Sequence, residues 1–136
     1  MALSSDKFTY EVGNTERAVP VKGATLIYRG AMVGVNSSGY AVPITATTGL
    51  ACIGVADQQA DNSSGADGAI KVRVKTGIFP MANSEGADAL DWGDVDSIVY
   101  GVDDETVAKT SDTDSRSAVG TLWAMGKDGL PLVKFG

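Results

Sequence analysis

Ile70-Lys71-Val72-Arg73-Val74-Lys75-Thr76 sets the fold class of this 136-residue chain. Apolar or β-branched residues take every second position, and Lys71, Arg73 and Lys75 take the positions between. That period of two belongs to a β-strand with one face on a core and one in water or on a partner. Upstream, Ala51–Ala56 is a second strand-like run, and the two pair as a predicted hairpin across the polar stretch 57–68. Three more pairs follow the same grammar. Met32–Val35 turns through Asn36-Ser37-Ser38-Gly39 into residues 40–43, residues 97–102 turn at Asp103-Asp104 into 106–109, and residues 121–125 turn at Lys127-Asp128-Gly129 into 130–135. Gly and Asp accept the positive φ of tight turns, while β-branched residues favour the flanking strands.

The composition agrees with a chain of strands and turns. Fifteen valines stand against seven leucines, with seventeen alanines and seventeen glycines. Glycine costs a helix about 1 kcal/mol relative to alanine, so long helices are disfavoured. The expected fold is all-β, a small antiparallel barrel or sandwich of about eight strands in one domain over residues 18–136, by the turn spacing. Helix is limited to a short turn near residues 84–90, opened by Ser84 as N-cap. Ile53, Val55, Ile70, Val72, Val74, Val99, Val119, Leu122 and Trp123 are the expected core. Within residues 50–56, Ile53 and Val55 fall on one face. Cys52, Gly54 and Ala56 fall on the other, small enough for another backbone to approach. Pro131 cannot donate to a ladder, which predicts an edge position for the last strand.

Residues 1–17 read as an extended N-terminal arm. Phe8, Tyr10 and Val12 alternate with Thr9 and Glu11. They are the predicted contact residues of an arm that adds a strand to a neighbouring subunit or partner. Lys71, Arg73 and Lys75 form a second candidate contact set, because they gather three of the eleven positive charges on one strand face.

The chain offers little for catalysis or cofactors. It has no histidine and one cysteine, which removes Ser–His–Asp triads, Cys–His pairs and zinc–thiolate sites. No phosphate-binding glycine loop is present. The acids Asp88, Asp91, Asp94 and Asp96 lie close in sequence, but nothing places two of them across a cleft. The stretch from Asp61 to Asp67 alternates oxygen donors yet lacks the spacing and distal Glu of a calcium loop. No enzyme activity, cofactor or metal is expected. A net charge of −6 gives no footprint for nucleic acid. The absence of an apolar run of eighteen residues or a signal-like start predicts a soluble product made in a cytoplasm, with no membrane partner. Cys52 reads as a small buried hydrophobe.

Three stretches carry a resemblance. Gly54-Val55-Ala56-Asp57 with the run from Gly65 to Phe79, and Trp92-Gly93-Asp94 with Val99-Tyr100, Asp103-Asp104 and Val107, resemble tailed-bacteriophage head-decoration (capsid cement) proteins. Ala118-Val119-Gly120-Thr121-Leu122 with Leu132-Val133 is similar to the closing hairpin of that family. The resemblance covers residues 18–136. It implies a small β-domain, commonly a homotrimer, that binds the major capsid protein on the outer surface of the virion and stabilises the expanded shell, with no catalytic residues. The other reading kept open is a carbohydrate- or receptor-binding β-module of a phage tail or cell surface. Its cue is a platform of exposed tryptophan and tyrosine, whereas Trp123, in mid-strand, is expected in the core.

Overall fold

The computed structural model describes residues 2, 4–7 and 15–136. Thirteen strands form among them. In chain order these are β1 (Glu16–Pro20), β2 (Thr25–Ile27), β3 (Met32–Val35), β4 (Ala41–Pro43), β5 (Ala51–Ala56), β6 (Ala60–Asn62) and β7 (Lys71–Lys75). They continue as β8 (Gly77–Pro80), β9 (Ala82–Asn83), β10 (Ile98–Gly101), β11 (Thr106–Ala108), β12 (Ala118–Met125) and β13 (Pro131–Phe135). The four predicted pairings all form and all are antiparallel: β3 with β4, β5 with β7, β10 with β11, and β12 with β13. The all-β expectation holds.

The strands divide between two main sheets and a ribbon. The first sheet runs β1-β7-β5-β3-β4, the second β8-β13-β12-β10-β11-β9, and β2 pairs with β6 alone. The first sheet curls until its edges meet. Val21, just past β1, bridges Ala41 of β4, and the Lys22 N–H donates to the Ala41 carbonyl at 3.1 Å. Inside the curl lies one core, with Val21, Val33, Val72 and Val74 from the sheet and Ile27 and Ala60 from the ribbon. The other core sits between the sheets. Met32 and Val55 enter it from the first sheet, and Val99, Val107, Leu122, Val133 and Phe135 from the second. A fully buried Leu or Phe contributes about 1.5–3 kcal/mol, so these two clusters supply the drive for the sandwich.

Several expectations fail for identifiable reasons. In β5, Val33 pairs with Gly54 and Gly34 with Cys52, which leaves Ile53 as an extra, bulged residue. Alternation breaks there: Ile53 joins the core inside the curl while Val55 and Cys52 join the core between the sheets. Gly54 makes this possible, with φ at 140° and the Lys75 carbonyl so close that a β-carbon would collide with it.

The last strand is not an edge. β13 lies between β8 and β12, and Pro131 is tolerated as its first residue, its carbonyl accepting from the Met81 N–H at 3.0 Å. Ser84 does not cap a helix, because its hydroxyl donates to the Val107 carbonyl at 2.8 Å. The helical turn there is a 3₁₀ turn, Gly86–Asp88, and two more occur at Trp92–Asp94 and Lys127–Gly129. The polar stretch after β5 does more than connect the predicted hairpin, since it holds β6, which reaches back to β2. Among the described residues no helix is long and apolar enough to cross a membrane.

Candidate functional site

Among the described residues, none covers the outer face of the second sheet, where large apolar side chains are exposed. Val99, Leu122 and Val133 point inward on β10, β12 and β13, so their neighbours point out. Four outward residues line up across adjacent strands: Ile98 opposite Thr121, Thr121 opposite Lys134, and Lys134 opposite Ile78. Ile98 is 53% exposed and Ile78 42%. Both are β-branched residues at strand positions, where sheet propensity places them, but here they sit in water.

Trp123 belongs to the same face, because it follows the inward Leu122 directly. The ladder also bulges there, since Leu122 pairs with Val133 and Ala124 with Leu132. It is 51% exposed, which corrects its expected place in the core. The Lys134 ammonium stands 5.9 Å from the centre of its ring, within the range of a cation–π contact. Trp92 is also exposed. Its turn carries a capping box, with the Asp91 carboxylate accepting from the Gly93 N–H at 2.8 Å and Asp94 accepting from the Asp91 N–H at 2.9 Å. Asp96, two residues past that turn, donates its N–H to the Leu122 carbonyl at 2.8 Å and ties it to β12.

The predicted contact residues sit elsewhere. Lys71, Arg73 and Lys75 lie together on the outward side of β7, in the first sheet. Lys75 pairs with Asp57 at 3.3 Å, and Arg73 reaches the same carboxylate at 4.0 Å. Two of the three cations therefore face an acid of their own chain, in exposed pairs worth about 0–1 kcal/mol. Phe8, Tyr10 and Val12 lie outside the described residues. Sequence reasoning passed over Ile78, Ile98, Trp92 and Trp123 as surface residues. The signal for Trp123 was present: Leu122 and Trp123 are adjacent, so a single covered face cannot bury both.

The acidic groups that invite a chemical reading are occupied structurally. Asp88 accepts from Thr110 Oγ1 at 2.6 Å and from Arg116 at 3.2 Å, which holds its carboxyl below the usual range. Asp94 pairs with Lys109 at 3.4 Å. In the oxygen-rich loop, Asp61 accepts from the Ser63 hydroxyl and backbone, and Asp67 accepts from the Gly23 N–H at 2.7 Å. Asn62, buried, donates to the carbonyls of Val21, Lys22 and Ala66. Among the described residues no group of three metal-ligating side chains converges. Cys52 is largely enclosed, and burial pushes its thiol up to about 11, away from the reactive thiolate. A hollow of about 540 Å³ opens beside Pro80, Met81 and Leu130, with Tyr28, Asp104 and Glu105 on its wall. Burial, and then the neighbouring Asp103, push the Asp104 carboxyl up. Comparison with protein-family models, curated proteins and solved structures finds no match.

Proposed function

We propose that this chain is a structural decoration protein of a tailed-phage head, binding the major capsid protein on the outside of the expanded shell as a homotrimer. The observation that carries the reading is the bare outer face of the second sheet, where Ile78, Ile98 and Trp123 are each at least 40% exposed along neighbouring strands. An apolar patch on a rigid sheet is a contact surface rather than a chemical one. The resemblance of residues 18–136 to head-decoration proteins supplies the kind of partner. The test is sedimentation of the purified chain with phage heads before and after expansion. Co-sedimentation with expanded heads only, lost in Ile98→Glu, is the expected result; equal failure to bind both head forms overturns the reading.

The exposure of Trp92 and Trp123 favours a second reading, a carbohydrate-binding module that stacks sugars on those rings. Lys134 already stands over the Trp123 ring, which leaves that side less open to a sugar. Binding of cell-surface glycans that disappears in Trp92→Ala and Trp123→Ala, without any affinity for heads, would establish this alternative.

A further inference from the structure

The hollow of about 540 Å³ is lined by two large side chains that stand in water, Tyr28 at 58% exposure and Leu130 at 40%. Ala31, Pro80 and Met81 add further apolar surface to it. Backbone hydrogen bonds fix its walls. The Tyr28 carbonyl accepts from the Ala31 N–H at 3.2 Å across a turn in which Gly30 takes a φ of 89°. On the facing hairpin, the Asp104 carbonyl accepts from the Met32 N–H and the Glu105 carbonyl from the Ala82 N–H, both at 2.8 Å. Asp104 and Glu105 therefore line the hollow from a turn tied to β3 and β9.

The charge on that wall is unbalanced. Asp57, Asp88 and Asp94 each meet a lysine or arginine of their own chain. Asp103, Asp104 and Glu105 meet none among the described residues, although Arg29 lines the same hollow. Residues 1, 3 and 8–14, outside the description, include no lysine or arginine, so none of their side chains supplies the missing cation. Burial and then Asp103 push the Asp104 carboxyl up, as befits a negative charge held without a partner. We propose that the hollow receives the side chain of an arginine from a different protein, its stem on Met81 and Leu130 and its guanidinium between the Tyr28 ring and the carboxylates of Asp104 and Glu105. Arginine answers each part of the site: an apolar stem, a planar cation that stacks on an aromatic face, and a fork of donors for carboxylates. Lysine is a compact, strongly hydrated charge and matches only the last part. Copies of a chain with a net charge of −6 repel one another, which places the arginine on another protein.

This inference is independent of the head-decoration reading, since it uses neither phage heads nor the bare sheet face. The test is NMR titration of the isotope-labelled full chain with N-acetyl-arginine amide, alongside the norleucine and glutamate amides. The arginine amide should give saturable shifts at the amides of Met81, Ala82 and Leu130. Its affinity should fall about fivefold in Asp104→Asn/Glu105→Gln and again in Tyr28→Ala, while unchanged signals from Val72 and Val74 in the other core show that both variants are folded. The titration midpoint of the Asp104 carboxyl should drop when the arginine amide is bound, because the cation favours the ionised form. Absence of shifts with the arginine amide would overturn the proposal, as would equal shifts with the norleucine amide, which has the stem without the charge. Shifts with the glutamate amide that vanish in Arg29→Ala would show an anion site instead and overturn it too. Self-association of the parent chain that is lost in Asp104→Asn/Glu105→Gln would assign the arginine to a second copy and overturn the choice of a different protein.

Discussion

Trp123 reaches solvent because it follows the inward-facing Leu122 directly, on a sheet face that leaves it half exposed. Its side chain therefore contributes little to the core, and Trp123→Ala should leave stability within about 0.5 kcal/mol while weakening attachment to expanded heads. Thermal unfolding and co-sedimentation measured on the same preparation check both halves. Asn62 is the opposite case, a polar side chain that holds three carbonyls in the interior. Asn62→Ala strands these acceptors and should cost about 1–3 kcal/mol in urea unfolding, with heads still bound by the folded fraction. Neither role was legible from the residue alone. Period-two reasoning assumes an unbroken ladder, and the bulge at Ile53 shifts the pattern by one. Val72, Val74, Val99, Val119 and Leu122, whose inward positions were foreseen, are all buried.

The elements that local chemistry dictates are those the sequence made readable. Asn36 shows why: its carboxamide oxygen accepts from the Ser38 and Tyr40 N–H groups at 3.0 Å, so the turn between β3 and β4 is built by a residue inside it. Asp103 does the same between β10 and β11, accepting from Glu105 and Thr106. The β2–β6 ribbon, the parallel pair of β9 with β11 and the burial of β13 depend on residues far apart in sequence, and no local signal encodes them. The loop from Thr110 to Arg116 is held by a side-chain cluster instead. Thr110 and Arg116 both bind the Asp88 carboxylate, which lowers its affinity for protons. A carboxyl with a depressed folded pKa contributes stability that is present above its unfolded pKa, about 3.8, and lost as pH falls through the folded value. Asp88→Asn should remove that part of the acid dependence, so that melting temperatures of variant and parent converge as the pH falls through the depressed folded value.

At the scale of the whole molecule, charge and shape make different demands on a partner. The chain carries a net charge of −6, yet the face proposed to meet the capsid is a row of Ile98, Thr121, Lys134 and Ile78 with Trp123 beside it. Like copies of an acidic protein repel one another, so crowding on a shell is favoured only if burial outweighs repulsion. Each isoleucine removed from water contributes about 1.5–3 kcal/mol when fully covered, whereas exposed charges farther apart than a Debye length of about 8 Å are screened at physiological salt. Attachment through the apolar row should therefore strengthen or hold steady as salt rises from about 0.05 to 0.5 M, because repulsion between neighbouring copies is screened while burial is not. Attachment through Lys71 and Arg73 to an acidic shell would weaken over the same range. Titrating expanded heads at both salt concentrations, with the parent, Ile78→Glu/Ile98→Glu and Lys71→Ala/Arg73→Ala, separates the two. Loss of binding in the isoleucine variant with salt-insensitive binding in the lysine–arginine variant is the expected pattern. The reverse pattern would move the contact surface to β7 and leave the bare sheet face without its proposed role.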